Sequence, residues 1–457
     1  MLRRKIFNEI ESFYKTNPQK ALMITGARQV GKSTIIEEFA HKHYKHFIKM
    51  DFIKNPDYVT ALSGAKNTEE TLLRLSALFG DEMVPGETLI FFDEVQECKE
   101  LITQIKYLVQ EGSYTYILSG SLLGTVFQEI SSVPVGYMDI YRMYPLDFEE
   151  FAYANGLNKK VIDAIRKSFE NKTPVDNFLH ERLLSLFELY LIVGGMPAAV
   201  AIYLETKNLR KVAEEQTAIL ALYKHDISKY DKNDKLYSNE IFDLIPSELN
   251  AKNKRFILKN LNENAKFSKY NNSFLWLKNA GVALPAHIAD EPKMPLLLSK
   301  SSNLFKLFSN DVGLLAAQYG NGIQLKILQH ETSMNFGSIY ENIAAQELLA
   351  HGHTLYYLNS KKLGELDFLI ESEGDVIPIE IKSGKDYYRH SAMDNVLKHP
   401  EFDIPQGYVF CNGNVEVVGK VVYYPIYMLM FLQKETLPDE IIFDSDFSDL
   451  NDLVDFS

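Results

Sequence analysis

The sequence predicts an α/β chain: a P-loop doubly wound parallel sheet, then a helical lid and a winged-helix-like module, then a second α/β unit near the end. Three observations predict it. Residues 21–40, ALMITGARQVGKSTIIEEFA, read as strand, Gly-rich loop and helix. Four further apolar runs, at 46–52, 88–93, 114–121 and 138–144, are separated by helical stretches, as in a parallel sheet covered on both faces. Downstream, GELDFLIE and VIPIEIKS alternate as two strands joined by a turn at 372–375, behind a helical pattern over 336–353.

The first unit carries a phosphate loop. GARQVGKST fits G-x-x-x-x-G-K-[ST], with a buried strand before it and a helix start at Ser33–Phe39 after it. Gly26 and Gly31 permit the tight path. The loop, Gly26, Ala27, Arg28, Gln29, Val30, Gly31, Lys32, Ser33 and Thr34, presents amides and a helix N-terminus to phosphates. Lys32 is expected at the β and γ oxygens and Ser33 on Mg²⁺. TLIFFDEVQEC places Asp93 and Glu94 at the carboxyl end of an apolar strand, where α/β sheets bind ligands. Asp93 can hold Mg²⁺ through water, and Glu94 can polarise the attacking water. Ser119, ending YTYILSGS with Ser121, either senses the γ-phosphate or caps the next turn.

Composition sets the bounds. A chain of 457 residues accommodates two to four domains, and 46% hydrophobic with 24% charged residues is ordinary for water-soluble protein. Abundant Tyr (26) and Phe (28) exclude a largely disordered chain. Cys98 and Cys411 are far apart and lack metal-ligand company, which argues against a disulfide framework or zinc and for a reducing, cytoplasmic setting. The start, MLRRKIFNEIESFYK, has no apolar core of a signal peptide, and no run of about 18 apolar residues exists, so no membrane segment is expected. The net charge of −13 opposes nucleic-acid binding in general, but it is uneven. The tail from Glu435 has eight acids and no bases, whereas residues 251–271 have six Lys/Arg against one Glu.

GARQVGKST, LIFFDEVQE, ILSGS and YPLDFEEF (144–151) occur in an order that resembles a family of bacterial and archaeal AAA-type ATPases. In that family the ATPase is followed by a region of undetermined function ending in a restriction-endonuclease-like domain. ELYLIVGGMPAAV (188–200) is similar to its GG-x-P segment and NLFKLFSNDVGLL (303–315) to its junction into the last domain. The resemblance implies ATP, with Lys32, Ser33, Asp93 and Glu94 in the roles above. It also implies a Gly-Arg pair before the YPL segment as an arginine finger. Here Tyr137 follows Gly136 and Arg142 is nearby but shifted, so this departure from the pattern leaves that finger, and ring-like cooperative hydrolysis with it, open.

The expected division is 1–151 ATPase core, 152–235 helical lid, 236–318 winged-helix-like module, 319–434 nuclease-like domain and 435–457 acidic tail. LYKHDISKY (222–230) reads as a solvated helix face with phosphate contact as the alternative. A polar turn at 270–273 followed by FLWLKNAGVALPAHIA suggests short helices and an apolar hairpin, hence a winged helix with the basic run from Lys252 to Lys269, Lys254 and Arg255 included, on or near its recognition helix. A solvated basic face is the alternative. HKHYKHF (41–47) reads as a wet helix end, since its histidines lack a carboxylate or cysteine at ligand spacing.

In the last unit, Ile339, Ile343 and Leu348 mark one apolar face of an amphipathic helix that also carries Glu341. Glu380 and Lys382 share a strand face opposite Ile379 and Ile381, while Leu366, Phe368 and Ile370 pack inward and Asp367 faces away from them. Asp367 and Glu380 can converge on Mg²⁺, with Glu341 completing the shell and Lys382 orienting water or offsetting transition-state charge. Helix-Glu, Asp, then Glu-x-Lys is the pattern of the PD-(D/E)xK nuclease fold. The fold can equally persist as a DNA- or protein-binding module. The expected protein binds and hydrolyses ATP with Mg²⁺ and acts as an ATP-dependent DNA-binding or regulatory protein. DNA would be met by the winged-helix-like and nuclease-like parts. The alternatives are an ATP-gated Mg-dependent nuclease, and an ATP-driven switch that binds a protein partner through an inactive nuclease-like domain, which the acidic tail favours.

Overall fold

A computed structural model describes residues 2–17, 19–121, 136–230, 235–251, 254–261, 267–320, 326–327 and 336–435. After helix α1 (Lys5–Thr16) come β1 (Ala21–Thr25), α2 (Lys32–His43), β2 (His46–Asp51), α3 (Asp57–Leu62), α4 (Thr68–Phe79), β3 (Thr88–Asp93), α5 (Lys99–Glu111), β4 (Thr115–Gly120) and β5 (Met138–Arg142). The five expected strands form one parallel sheet in the order β2-β3-β4-β1-β5. Alternate residues of β1 serve opposite faces. Leu22 and Ile24 pack with Ile10, Phe13 and Phe39 of α1 and α2, while Ala21 and Met23 pack with Leu75 of α4 and Ile105 of α5. Every residue of β3 is buried, as a central parallel strand requires.

Helices α6 (Phe148–Ala154), α7 (Lys159–Asn171), α8 (Asn177–Val193), α9 (Pro197–Thr206) and α10 (Leu209–Tyr230) follow, as the pattern over 152–235 implied. Asp147 and Glu150 form a reciprocal capping box on α6, and Pro197 opens α9, where its missing N–H costs nothing. The chain continues through α11 (Lys235–Asn250), α12 (Phe267–Asn279), β6 (Ala283–Ala289), β7 (Lys300–Ser309) and α13 (Val312–Gln318). It then runs through α14 (Gly337–Ala350), β8 (Tyr356–Ser360), β9 (Gly364–Ser372), β10 (Asp375–Ile381), α15 (Ser391–Lys398), β11 (Gly407–Cys411), β12 (Glu416–Val418) and β13 (Val421–Pro425).

Three expectations are corrected here. The turn expected at 270–273 lies inside α12, where Tyr270 and Ser273 are buried. The β6–β7 hairpin does not stand apart as a wing. It joins an eight-stranded sheet, β12-β13-β11-β10-β9-β8-β6-β7, with β6 parallel to β8. Its residues explain this: Leu284, Ala286 and Ile288 are buried, so it needs cover that an exposed wing lacks. Finally, α14 is not amphipathic, because all residues from Ser338 to Leu348 are buried. Its polar side chains are matched instead of solvated. Asn342 Oδ1 accepts from Ser309 N (2.7 Å), Gln346 Oε1 from Val312 N (2.9 Å) and Glu347 Oε1 from Phe148 N (2.9 Å).

A shift in the β8/β9 register between Tyr356 and Leu358 also breaks the strict alternation expected of β9. Phe368 and Ile370 join the main core, but Leu366 sides with Leu369 in the separate cluster around Met393 of α15. Cys98 and Cys411 are buried free thiols. Lys252, Lys266 and the tail from 436 lie outside the described residues, as do the side chains of Lys259 and Lys269. Glu435 accepts from Ser372 Oγ (2.6 Å) and caps the β9–β10 turn. No helix among the described residues is long and apolar enough to cross a membrane.

Candidate functional site

The phosphate loop joins β1 to α2. Gly26 has φ +144°, and a Cβ there would lie 2.2 Å from the Met143 carbonyl oxygen, so only glycine fits. Gln29 (φ 63°) and Gly31 (φ 96°) are also left-handed and give the loop its curl. Lys32 is buried and folds back, with Nζ donating to the carbonyls of Gly26 (3.0 Å) and Ala27 (2.9 Å). Burial lowers its pKa, opposed by the charges of Glu94 and Asp93. Ser33 Oγ donates to Asp93 Oδ2 (2.8 Å), and Ser119 Oγ donates to Asp93 Oδ1. Ser119 thus orients the Asp93 carboxylate at the strand end. Thr34 is exposed at the start of α2.

Glu94 follows β3 in a left-handed conformation (φ 55°), which turns its carboxylate out of the strand. Gln96 Nε2 (2.6 Å) and Ser121 Oγ (3.3 Å) donate to it. A hydroxyl and a buried carboxylate beside the loop's lysine suit Mg²⁺ and a polyphosphate.

Sequence reasoning missed several residues around this loop. Lys49 of β2 lies 3.1 Å from Asp93 Oδ2 and 2.8 Å from Glu37. The segment 222–230 touches the loop itself and not solvent alone: Asp226 binds Arg28 Nη1 (2.5 Å), and Tyr223 OH donates to the Arg28 carbonyl (3.3 Å). The signal was there, since Tyr223 and Asp226 are three apart and share a helix face. Gly281 packs on the other side, where a Cβ would stand 3.1 Å from Ala27 N. Arg142, the displaced finger candidate, donates to the Lys278 carbonyl (2.9 Å).

A buried polar chain runs from this loop to α14. Arg4 donates from Nη1 to Val30 O (2.9 Å), from Nη2 to Tyr144 O (2.6 Å) and from Nε to Glu150 (3.0 Å). Lys5 pairs with Asp147 (2.6 Å) and Glu149 (2.7 Å). His351 faces Asp147 at 3.3 Å and Glu347 at 3.7 Å. Burial pushes Glu150 up to about 7 despite Arg4.

At the other end, Glu341, Asp367, Glu380 and Lys382 line one cavity of about 460 Å³, with Lys254 and Arg389. The structure therefore gathers all four expected residues. Ile381 N donates to Asp367 Oδ2 (2.8 Å), and Lys382 Nζ to Glu380 Oε2 (3.0 Å). Burial, then the Asp367 charge, pushes Glu380 up to about 8 and Glu341 to about 7. Burial would also raise Asp367, but Lys254, Lys306 and the Ile381 amide hold it below its usual value.

Glu341 is engaged by lysines in this structure: Lys254 Nζ donates to its Oε1, and Lys306 Nζ lies 3.6 Å from its Oε2. Among the described residues no three His, Cys, Asp or Glu side chains are grouped to hold a metal. Asp367 and Glu380 remain as a carboxylate pair suited to a hard cation. Lys254, expected on a DNA-facing surface, points into this cavity instead. Of the histidines of HKHYKHF, His41 and His43 are exposed at the end of α2, with His43 2.7 Å from Glu11, whereas His46 opens β2 and is half-buried.

Residues 18–152 match the family described as AAA domain. Residues 184–325 match a domain of unknown function (DUF8612), and residues 336–429 match another (DUF4143). No curated protein matches the chain in sequence. Among solved structures, a Walker-type ATPase of Pyrococcus abyssi is 14% identical, with 70% of this chain and 96% of that chain covered and a TM-score of 0.43. The Orc1 protein of Aeropyrum pernix, solved in complex with DNA, is 11% identical, with 72% and 94% covered and a TM-score of 0.28. Cdc6p from Pyrobaculum aerophilum is 10% identical, with 72% and 95% covered and a TM-score of 0.27. Likeness at these scores carries no argument about chemistry. The match of residues 18–152 to the AAA domain family agrees with the parallel sheet and its phosphate loop, and the matches to two domains of unknown function follow it in the chain.

Proposed function

We propose that the chain binds and hydrolyses ATP and uses nucleotide state to reposition the parts packed on the phosphate loop. The observation that carries this is the cluster of Lys32, Ser33, Ser119 and Asp93, with Glu94 at the same strand end. Bound Mg²⁺ would offset phosphate charge. Lys32 would leave the Gly26 and Ala27 carbonyls for the β and γ oxygens, and Ser33 with Asp93 would hold the ion. Glu94, fixed by Gln96 and Ser121, would align and polarise the attacking water. Lys32→Ala should weaken ATP binding at least tenfold in a fluorescent-nucleotide titration, and unchanged affinity would remove the loop from this role. Arg28 touches Asp226 and Ala27 packs against Gly281 just past α12, so a loop that opens for phosphate disturbs both.

A second reading is favoured by a separate observation, the convergence of Asp367, Glu380 and Lys382 on one cavity. We infer metal-dependent phosphodiester cleavage there, on a nuclease-like fold. A metal would polarise the phosphodiester. Asp367 and Glu380 would hold it, and Lys382, with its ammonium already on Glu380, would steady the attacking water or the developing charge. Mg²⁺-dependent nicking of plasmid DNA should vanish in Asp367→Ala and in Lys382→Ala. An absence of cleavage on every DNA and RNA tried would sink this reading and leave a binding module. DNA association, if it serves this cavity, should weaken steeply with salt.

A further inference from the structure

The carboxylate cavity already contains a cation that the chain supplies. Two lysines line it and a third, Lys306, lies behind its carboxylates, and the three differ in origin. Lys306 sits on β7, is fully buried and is tied to Glu365 at 2.8 Å. Lys382 directly follows β10 and is tied to Glu380. Lys254 does not belong to the sheet: it comes from the segment between α11 and α12, donates to Glu341 and lines the cavity beside Asp367. Its backbone is left-handed (φ 27°), a conformation that costs a lysine free energy and persists only where surroundings enforce it. Its side chain is 23% exposed, so of Lys254 and Lys306 it alone has a route to solvent.

We propose that Lys254 is a removable internal counter-cation, which occupies the carboxylate cavity in place of a divalent ion until its segment withdraws. This rests on the reading of the cavity as a metal-dependent site. An ammonium and a divalent ion placed among the same carboxylates repel each other, so Lys254 and the ion compete for the cavity. Withdrawal frees Glu341 and unmasks Asp367 together. Because the segment follows α11, the cavity's readiness for metal is set by the middle of the chain and not by the sheet that holds the carboxylates.

The test is Mn²⁺ binding to the full chain without nucleotide, read from the electron paramagnetic resonance of free Mn²⁺. Asp367→Asn reports any background from the ATPase domain. Lys254→Met should bind Mn²⁺ at least tenfold more tightly than wild type, Lys254→Arg should match wild type, and Lys254→Met/Asp367→Asn should lose the gain. Lys306 still faces Glu341 in Lys254→Met, so that variant is expected to fold. Equal affinity in wild type and Lys254→Met overturns the proposal. A measurement on the wild-type chain needs no variant: Mn²⁺ should speed acylation of Lys254 by an amine-reactive ester at least threefold, with Lys20 unchanged, as mapped by mass spectrometry. An unchanged rate overturns it too. If Lys254→Met binds Mn²⁺ tightly yet nicks no nucleic acid, cleavage falls and the counter-cation stands.

Discussion

Glu94→Gln should lower ATP turnover about 10²–10⁴-fold, the range of a positioned general base, while nucleotide affinity stays within a few fold. The geometry sets both halves of that expectation. The Glu94 carboxylate sits past the end of β3, turned by its left-handed backbone and held by Gln96 and Ser121. Glutamine keeps the shape but cannot take a proton, so chemistry fails and binding survives. Lys32→Ala should fail at binding instead, because the ammonium that would meet the phosphates is gone. Stopped-flow nucleotide binding beside steady-state phosphate release separates the two. Turnover in Glu94→Gln within threefold of wild type would remove Glu94 as the base.

Arg4→Met should be the most destabilising single change outside the apolar core, by about 3–5 kcal/mol, the range for breaking a buried ion pair from one side. Arg4 is 8% exposed and uses Nε, Nη1 and Nη2 at once. Without it the carbonyls of Val30 and Tyr144 lose their donor and Glu150 loses its cation. The half-exposed Lys20–Asp139 pair (3.2 Å) is the control, where Lys20→Ala should cost at most about 1 kcal/mol. Denaturant midpoints at one pH report both. Because Arg4 holds the last carbonyl before Gly31, Arg4→Met should also weaken ATP binding, which a purely structural strut far from the loop would not do. Equal midpoints for wild type and Arg4→Met would refute the role.

The sequence made the parallel sheet legible because its central strands β1, β3 and β4 are short, buried on both faces and bounded by helix patterns. The phosphate loop was legible because its glycines and Lys32–Ser33 are contiguous. Convergence of Asp367 with Glu380 was legible from strand periodicity alone, although the register shift at β8/β9 that moved Leu366 to another core was not. What stayed hidden is long-range. Nothing local tells that Lys254 meets Glu341, or that Arg4 meets Val30 and Glu150. Periodicity misjudged α14 for the same reason: a helix with Glu341, Asn342, Gln346 and Glu347 looks half-wet until its polar partners on other elements are known. The hairpin over β6 and β7 looked like a wing because its partner strand comes much later in the chain.

That late partner has a consequence for synthesis on the ribosome. His287 of β6 pairs with Tyr356 of β8, so the inner edge of the hairpin is made well before the strand that covers it. At about 5–20 residues per second, the interval is roughly 3 to 14 seconds. For that time Leu284, Ala286 and Ile288 flank an open strand edge, the feature through which nascent chains aggregate. Slower translation across the intervening stretch should therefore lower the soluble yield of this chain, and holding chaperones should restore it.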